Sequence, residues 1–161
     1  NYLSWVGWDL TESQQKLLGF LHRLIEIRRE QPALSRRRFF KDSTHGDDVD
    51  DIYWLNNAGR RMTAAEWDDE HQHSLGLLLL GHCSQIDEQG ACIIGDNLLI
   101  LMNADSKSIS FAMPAQVRKF PRLDRLFDTY EGDTEIIAYD TSEPYLLRPQ
   151  SMALFRHKPG T

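Results

Sequence analysis

Cysteine is scarce: Cys83 and Cys92 are the only two in 161 residues. That is too few to staple a domain of this size, so a packed core must carry the fold, and a reducing, cytoplasmic setting is expected. Long apolar runs are also missing. Runs such as Leu77 to Leu80 and Leu98 to Met102 are far short of the ~20 residues that cross a bilayer as a helix, so no membrane partner is expected. Basic residues are in the minority, 18 Lys and Arg against 24 Asp and Glu for a net charge of −6, which argues against wholesale binding of nucleic acid. The chain has no glycine-rich phosphate loop, no serine elbow with a partner histidine, and no Cys/His pair of familiar metal spacing. No catalytic residue, cofactor or metal is therefore expected from the residues themselves. "NYLSWVGWDL" has neither the basic start nor the unbroken apolar stretch of a signal peptide, and its first residue is Asn rather than Met, so it reads as an internal start.

What is present is globular in character: 41% apolar and 26% charged residues, enough for one ordinary domain with an appendage. Thr11 and Gln14 spell a capping box, and Leu17, Leu18, Phe20, Leu21, Leu24, Ile25 and Ile27 recur behind them at helical spacing. The spacing predicts a helix over 12–30 that stops before Pro32, with Leu17, Leu21 and Leu24 as the residues expected to meet a packed surface. "IYWL" reads as a short strand, "NNAGRR" as a turn, and Thr63 with Glu66 as a second capping box. "SLGLLLLGHC", "NLLILMNA", "SISFAMPA", "PRLDRLFDT" and "SMALFRH" follow as strand-length pieces, a spacing that suggests an antiparallel β-sandwich.

Several clusters invite chemistry. His71, His73, His82, Cys83 and Cys92 are possible metal ligands at unfamiliar spacing, and are read as loop histidines with two reduced cysteines that carry no metal. The acid pairs Asp47/Asp48, Asp50/Asp51 and Asp68/Asp69 stand in polar loops, with nothing beside them to raise a carboxyl pKa. "RREQPALSRRRFF", residues 28–40, mimics a nucleic-acid patch, but Glu26, Glu30, Asp42, Asp47 and Asp48 lie close by. Arg28 and Arg29 also fall where positive charge suits a helix C-terminus, so the stretch is read as a structural seam.

Taken in order, "NYLSWVGWDL", "FLHRLIEIRREQPAL", "RRRFF", "DIYWLNNAGRRMTAAEWDD", "LGLLLLG", "NLLILMNA" and "LFDT" resemble the C-terminal part of bacterial glycogen debranching enzymes, the isoamylase-like branch of the α-amylase superfamily. The resemblance covers about residues 1–156. It implies that residues 1–44 end a (β/α)8 catalytic barrel, with 12–30 as its last helix, and that 45–161 form a closing β-sandwich. Phe39 and Phe40 would anchor the seam. It also implies a parent enzyme that hydrolyses α-1,6 branch linkages in glycogen or limit dextrin through three carboxylates, all upstream of Asn1. This chain would then be inactive alone, with the missing barrel as its partner and glucan reached through that barrel. The family's Trp-x-Asp-Trp reads "WVGW" here, with Gly7 in the place of the acid. An independent carbohydrate-binding module is the alternative, with Tyr53, Trp54 and Trp67 as stacking platforms. Alternation is expected to bury at least one of the first two. Without a barrel, the helix is expected to pair with a second copy into a homodimer.

Overall fold

The computed structural model describes residues 7–36, 50–81, 85–86, 89–132 and 135–158. Helix α1, Glu12–Glu30, opens on the capping box: the Gln14 amide donates to Thr11 Oγ1 at 3.3 Å, and the Thr11 amide donates to Gln14 Oε1 at 2.9 Å. It closes at Gln31, which takes an extended conformation before Pro32, and Pro32–Leu34 add one 3-10 turn.

Strands β1 (Ile52–Leu55), β2 (Ser74–Leu79), β5 (Asn97–Asn103), β7 (Arg122–Asp128), β8 (Ile137–Asp140) and β10 (Ser151–His157) form one antiparallel sheet in the order β1-β2-β5-β10-β7-β8. β10 therefore lies between two halves that are contiguous in sequence. β3 (Gln85–Ile86) pairs with β4 (Cys92–Ile93), and β6 (Ile109–Phe111) pairs with β9 (Tyr145–Leu147). Single-turn helices α2 (Ala64–Trp67) and α3 (Ala115–Arg118) complete the described elements.

Both faces of the central strands β2, β5 and β10 are largely covered, so β2 and β5 read as continuous apolar runs rather than as alternation with polar residues. Leu78, Leu99, Leu101, Ala153 and Phe155 point to one face, where Phe111, Leu147, Met113 and Val117 from β6, β9 and the α3 region close a sandwich. Leu79, Leu98, Leu154 and Phe127 point to the other, where Ile27 of α1 and Ala33 cover them. The expected mainly-β sandwich preceded by one long helix is thus what forms.

Of Leu17, Leu21 and Leu24, only Leu24 packs as expected. Phe20, Leu24 and Ile27 meet the sheet, and the Phe20 and Phe127 rings stand edge to face at 5.7 Å. Leu17 and Leu21 do not meet it: with Leu18 and Ile25 they are 58%, 46%, 41% and 49% exposed. At 3.6 residues per turn these four lie roughly a quarter-turn round the axis from the packed line, so the wide stripe is two faces, one of them uncovered.

Strands β8 and β9 were not among the segments that the sequence pattern picks out. They are short and separated by Pro144, and β8 has no buried residue while β9 has only two, so neither period nor composition marks them. Where the 3-10 turn docks, the Gly95 amide donates to the Gly81 carbonyl at 2.9 Å, and a Cβ on Gly81 would fall 2.0 Å from the Gly95 oxygen. This close crossing admits only glycine at 81.

Candidate functional site

The three aromatic candidates divide between the two faces. Tyr53 and Trp54 are neighbours on β1, so alternation sends Tyr53 to the sandwich core and Trp54 to the helix-bearing face. Neither is fully buried, contrary to the expectation for one of them, because β1 is an edge strand that is covered on one side only. The Arg61 guanidinium lies 4.4 Å from the Tyr53 ring centroid and occupies that ring's face.

Trp54 and Trp67 do come together, at 5.7 Å between ring centroids and 75° between planes. Trp67 is the last residue of α2, whose second capping box forms as predicted: the Glu66 amide donates to Thr63 Oγ1, and Glu66 Oε2 accepts from the Thr63 amide at 2.8 Å. The other Glu66 oxygen accepts from Asn56 Nδ2 at 2.7 Å, tying α2 to the turn after β1. These hydrogen bonds hold the Glu66 carboxyl below its usual pKa, the Thr63 amide contributing most. Trp67 is thus held firmly, yet it is 52% exposed.

It walls a hollow of about 260 Å³ together with Met62, Asp69, Gln72, His73 and Met102. A second hollow, about 470 Å³, shares Met102 and Ala104 and runs on to Thr129 and Met152. The floor is a cross-strand row, Leu75 opposite Met102 opposite Met152, at the end of the sheet face that α1 leaves open. No sequence period pointed to this trough. Its signal was the pair Trp54 and Trp67, which only the folding back of α2 brings together.

The opposite face holds a buried polar network. The register of β10 against β7 slips between Leu154, opposite Phe127, and Phe155, opposite Arg125, so Leu126 is the extra residue of a β-bulge. The bulge turns Asp128 to the same side as Arg125. There the Tyr145 hydroxyl donates to Asp128 Oδ2 and accepts from Arg125 Nη1 at 3.1 Å, while Arg125 Nη2 meets Glu131 at 2.6 Å. Burial, reinforced by Asp128, pushes the Tyr145 phenol well above its usual range. Each group is held by a neighbour, and the arrangement orders the core.

At the seam, Arg36 reaches Asp51 at 2.8 Å and ties the exit of α1 to the start of β1. Gln31 Nε2 donates to Asp96 at 2.9 Å, and Asp124 accepts from Arg156 at 2.8 Å. Arg37, Arg38, Phe39, Phe40, Asp47, Asp48, His82 and Cys83 lie outside the described residues. Cys92 opens β4, and His71 is exposed beside Glu70. Gly7 has open space where a side chain would stand. Among the described residues no three His, Cys, Asp or Glu side chains converge to hold a metal ion, and no helix is long and apolar enough to cross a membrane.

No family model matches the chain. Over 115 residues, 70% of the chain, it is 32% identical to the glycogen operon protein GlgX homolog of Mycobacterium tuberculosis, of which it covers 16%. It is 33% identical over 114 residues, 71% of the chain, to the glycogen debranching enzyme of Dickeya chrysanthemi, covering 14% of that protein. It is 29% identical over 114 residues to the glycogen debranching enzyme of Klebsiella pneumoniae, again 71% of the chain and 14% of the relative. The chain therefore spans only about a seventh of the length of these relatives.

Proposed function

Since this chain belongs to the glycogen debranching enzyme family as a homologue of part of its members, we propose that it is the C-terminal portion of such an enzyme, in which residues 1–44 finish the catalytic barrel and 45–161 form a bracing sandwich. On this reading the parent is a cytoplasmic glycoside hydrolase of the isoamylase-like branch. It cleaves α-1,6 branch linkages with carboxylates that lie elsewhere in the protein, and this portion supplies none of them. The observation that carries the proposal is the second apolar face of α1. Phe20, Leu24 and Ile27 are already seated on the sheet, while Leu17, Leu18, Leu21 and Ile25 stand uncovered. Such a face calls for a partner, because each large apolar side chain gains about 1.5 to 3 kcal/mol on full burial. A barrel seated on α1 would bury it.

Two measurements test this. The chain alone, incubated with a branched dextrin, should release no reducing ends above blank, and turnover that survives repurification would overturn the proposal. In the complete parent enzyme, Leu21→Glu with Ile25→Glu should split one thermal transition into two. An unaltered single transition would show that nothing is seated on this face.

A further inference from the structure

We propose that the trough beside Trp67 holds a run of α-1,4-linked glucose units, with one sugar ring stacked on the indole and the chain lying along the Leu75–Met102–Met152 floor. The choice of α-glucan rests on the reading of the chain as part of a debranching enzyme, whereas the site itself rests on the geometry.

A pyranose presents apolar C–H faces and a rim of hydroxyls, so a matching surface needs a flat apolar platform flanked by donors and acceptors. Trp67 gives the platform. Its α2 turn is fixed by the Thr63–Glu66 box and by Asn56, and the Trp54 ring stands against it, so the indole is pre-positioned and little ordering is required on binding. Asp69, Gln72 and His73 give the polar wall. Asp69 spends one carboxylate oxygen on the His71 amide at 2.9 Å, leaving the other to accept from a hydroxyl. No Lys or Arg lines this hollow, whereas Glu66 and Asp69 do, a setting that repels phosphate or nucleic acid and suits an uncharged polyol. The two hollows meet at Met102 and Ala104 and cross β2, β5 and β10, roughly 10 Å of sheet at about 4.8 Å per strand, which fits a chain-like ligand. Other aromatics fit less well: the half-buried Tyr53 ring is covered by Arg61, and the Arg148 guanidinium lies 5.6 Å from the centroid of the exposed Tyr130.

The experiment is a titration of the chain with maltoheptaose, read by calorimetry and by tryptophan fluorescence. Saturable binding is expected, weakened at least tenfold, roughly 1.4 kcal/mol, by Trp67→Ala and unchanged by Trp8→Ala. Because Trp67→Ala could loosen α2, Gln72→Ala and His73→Ala are measured alongside; both sit outside the capping box, and each should weaken binding several-fold. Absence of saturable binding, binding that ignores all three substitutions, or equal affinity for a β-1,4-linked cellohexaose would overturn the proposal. In the complete parent enzyme, Trp67→Ala should leave the thermal transition single. A split like that expected for Leu21→Glu with Ile25→Glu would instead make the trough a protein interface. A failed titration with that Leu21/Ile25 split intact would sink the glucan site and leave the bracing role standing.

Discussion

Tyr145 shows how much one hydroxyl can organise. It donates to an aspartate that is 1% exposed and accepts from a buried arginine. Tyr145→Phe therefore leaves Asp128 Oδ2 facing a ring edge, and is expected to cost about 1 to 3 kcal/mol in a urea melt; a loss below a few tenths would mean that water replaces the phenol. His157 makes a second residue-scale case. It stacks on Phe120 at 3.4 Å between centroids, and burial, helped by Lys119 and opposed by Asp96, holds its pKa below the usual 6.5. The unfolded chain then takes up this proton at higher pH than the folded one, so the contribution of His157 to stability is intact above the unfolded pKa and is lost progressively as pH falls from there through the lower folded pKa. His157→Phe, which keeps a ring on Phe120, should flatten the decline in the urea midpoint between about pH 7.5 and 5.5. A variant that declines as steeply as the parent would assign the effect to other groups. At this scale the sequence disclosed the caps, because a capping box is local. It did not disclose Asp128 beside Arg125, since a bulge at Leu126 leaves no mark in the pattern and Tyr145 comes from a strand that the pattern does not show.

At the scale of elements, α1 was legible to its last residue. Thr11, Gln14 and Pro32 act through neighbours in the chain, and their geometry does not depend on what the helix packs against. Which side of the stripe would find the sheet was not legible, because seven apolar residues on one wide arc fit two docking angles equally well. The two faces should answer differently to substitution. Ile27→Ala should destabilise the fold by about 2 to 5 kcal/mol, as a fully seated core residue does. Leu21→Glu should leave the melt within about 0.5 kcal/mol yet convert a self-associating chain to monomer in analytical ultracentrifugation. A wild-type chain that stays monomeric at high concentration would show that the exposed face does not pair with a second copy. The candidate glucan surface was half legible in the same way: Trp54 and Trp67 stood out as residues, whereas the trough exists only because α2 folds back over the end of β1.

Across the whole molecule, the six-stranded sheet is assembled from pieces far apart in sequence. β1, β2 and β5 neighbour one another and precede the gap, β7 and β8 form a hairpin beyond it, and β10 fills the space between them. The strand-length segments of the sequence named most of these strands, but their order in space depends on long-range pairing that no local pattern encodes. The position of β10 carries a consequence for biosynthesis. A ribosome delivers the two flanks first, each with a bare backbone edge, and they can only wait, as partly folded intermediates exposed to chaperones and proteases, until Ser151–His157 has cleared the exit tunnel. Nascent chains that stop short of those seven residues leave β5 and β7 without the strand that joins them, so closing this sheet requires that translation has run past β10.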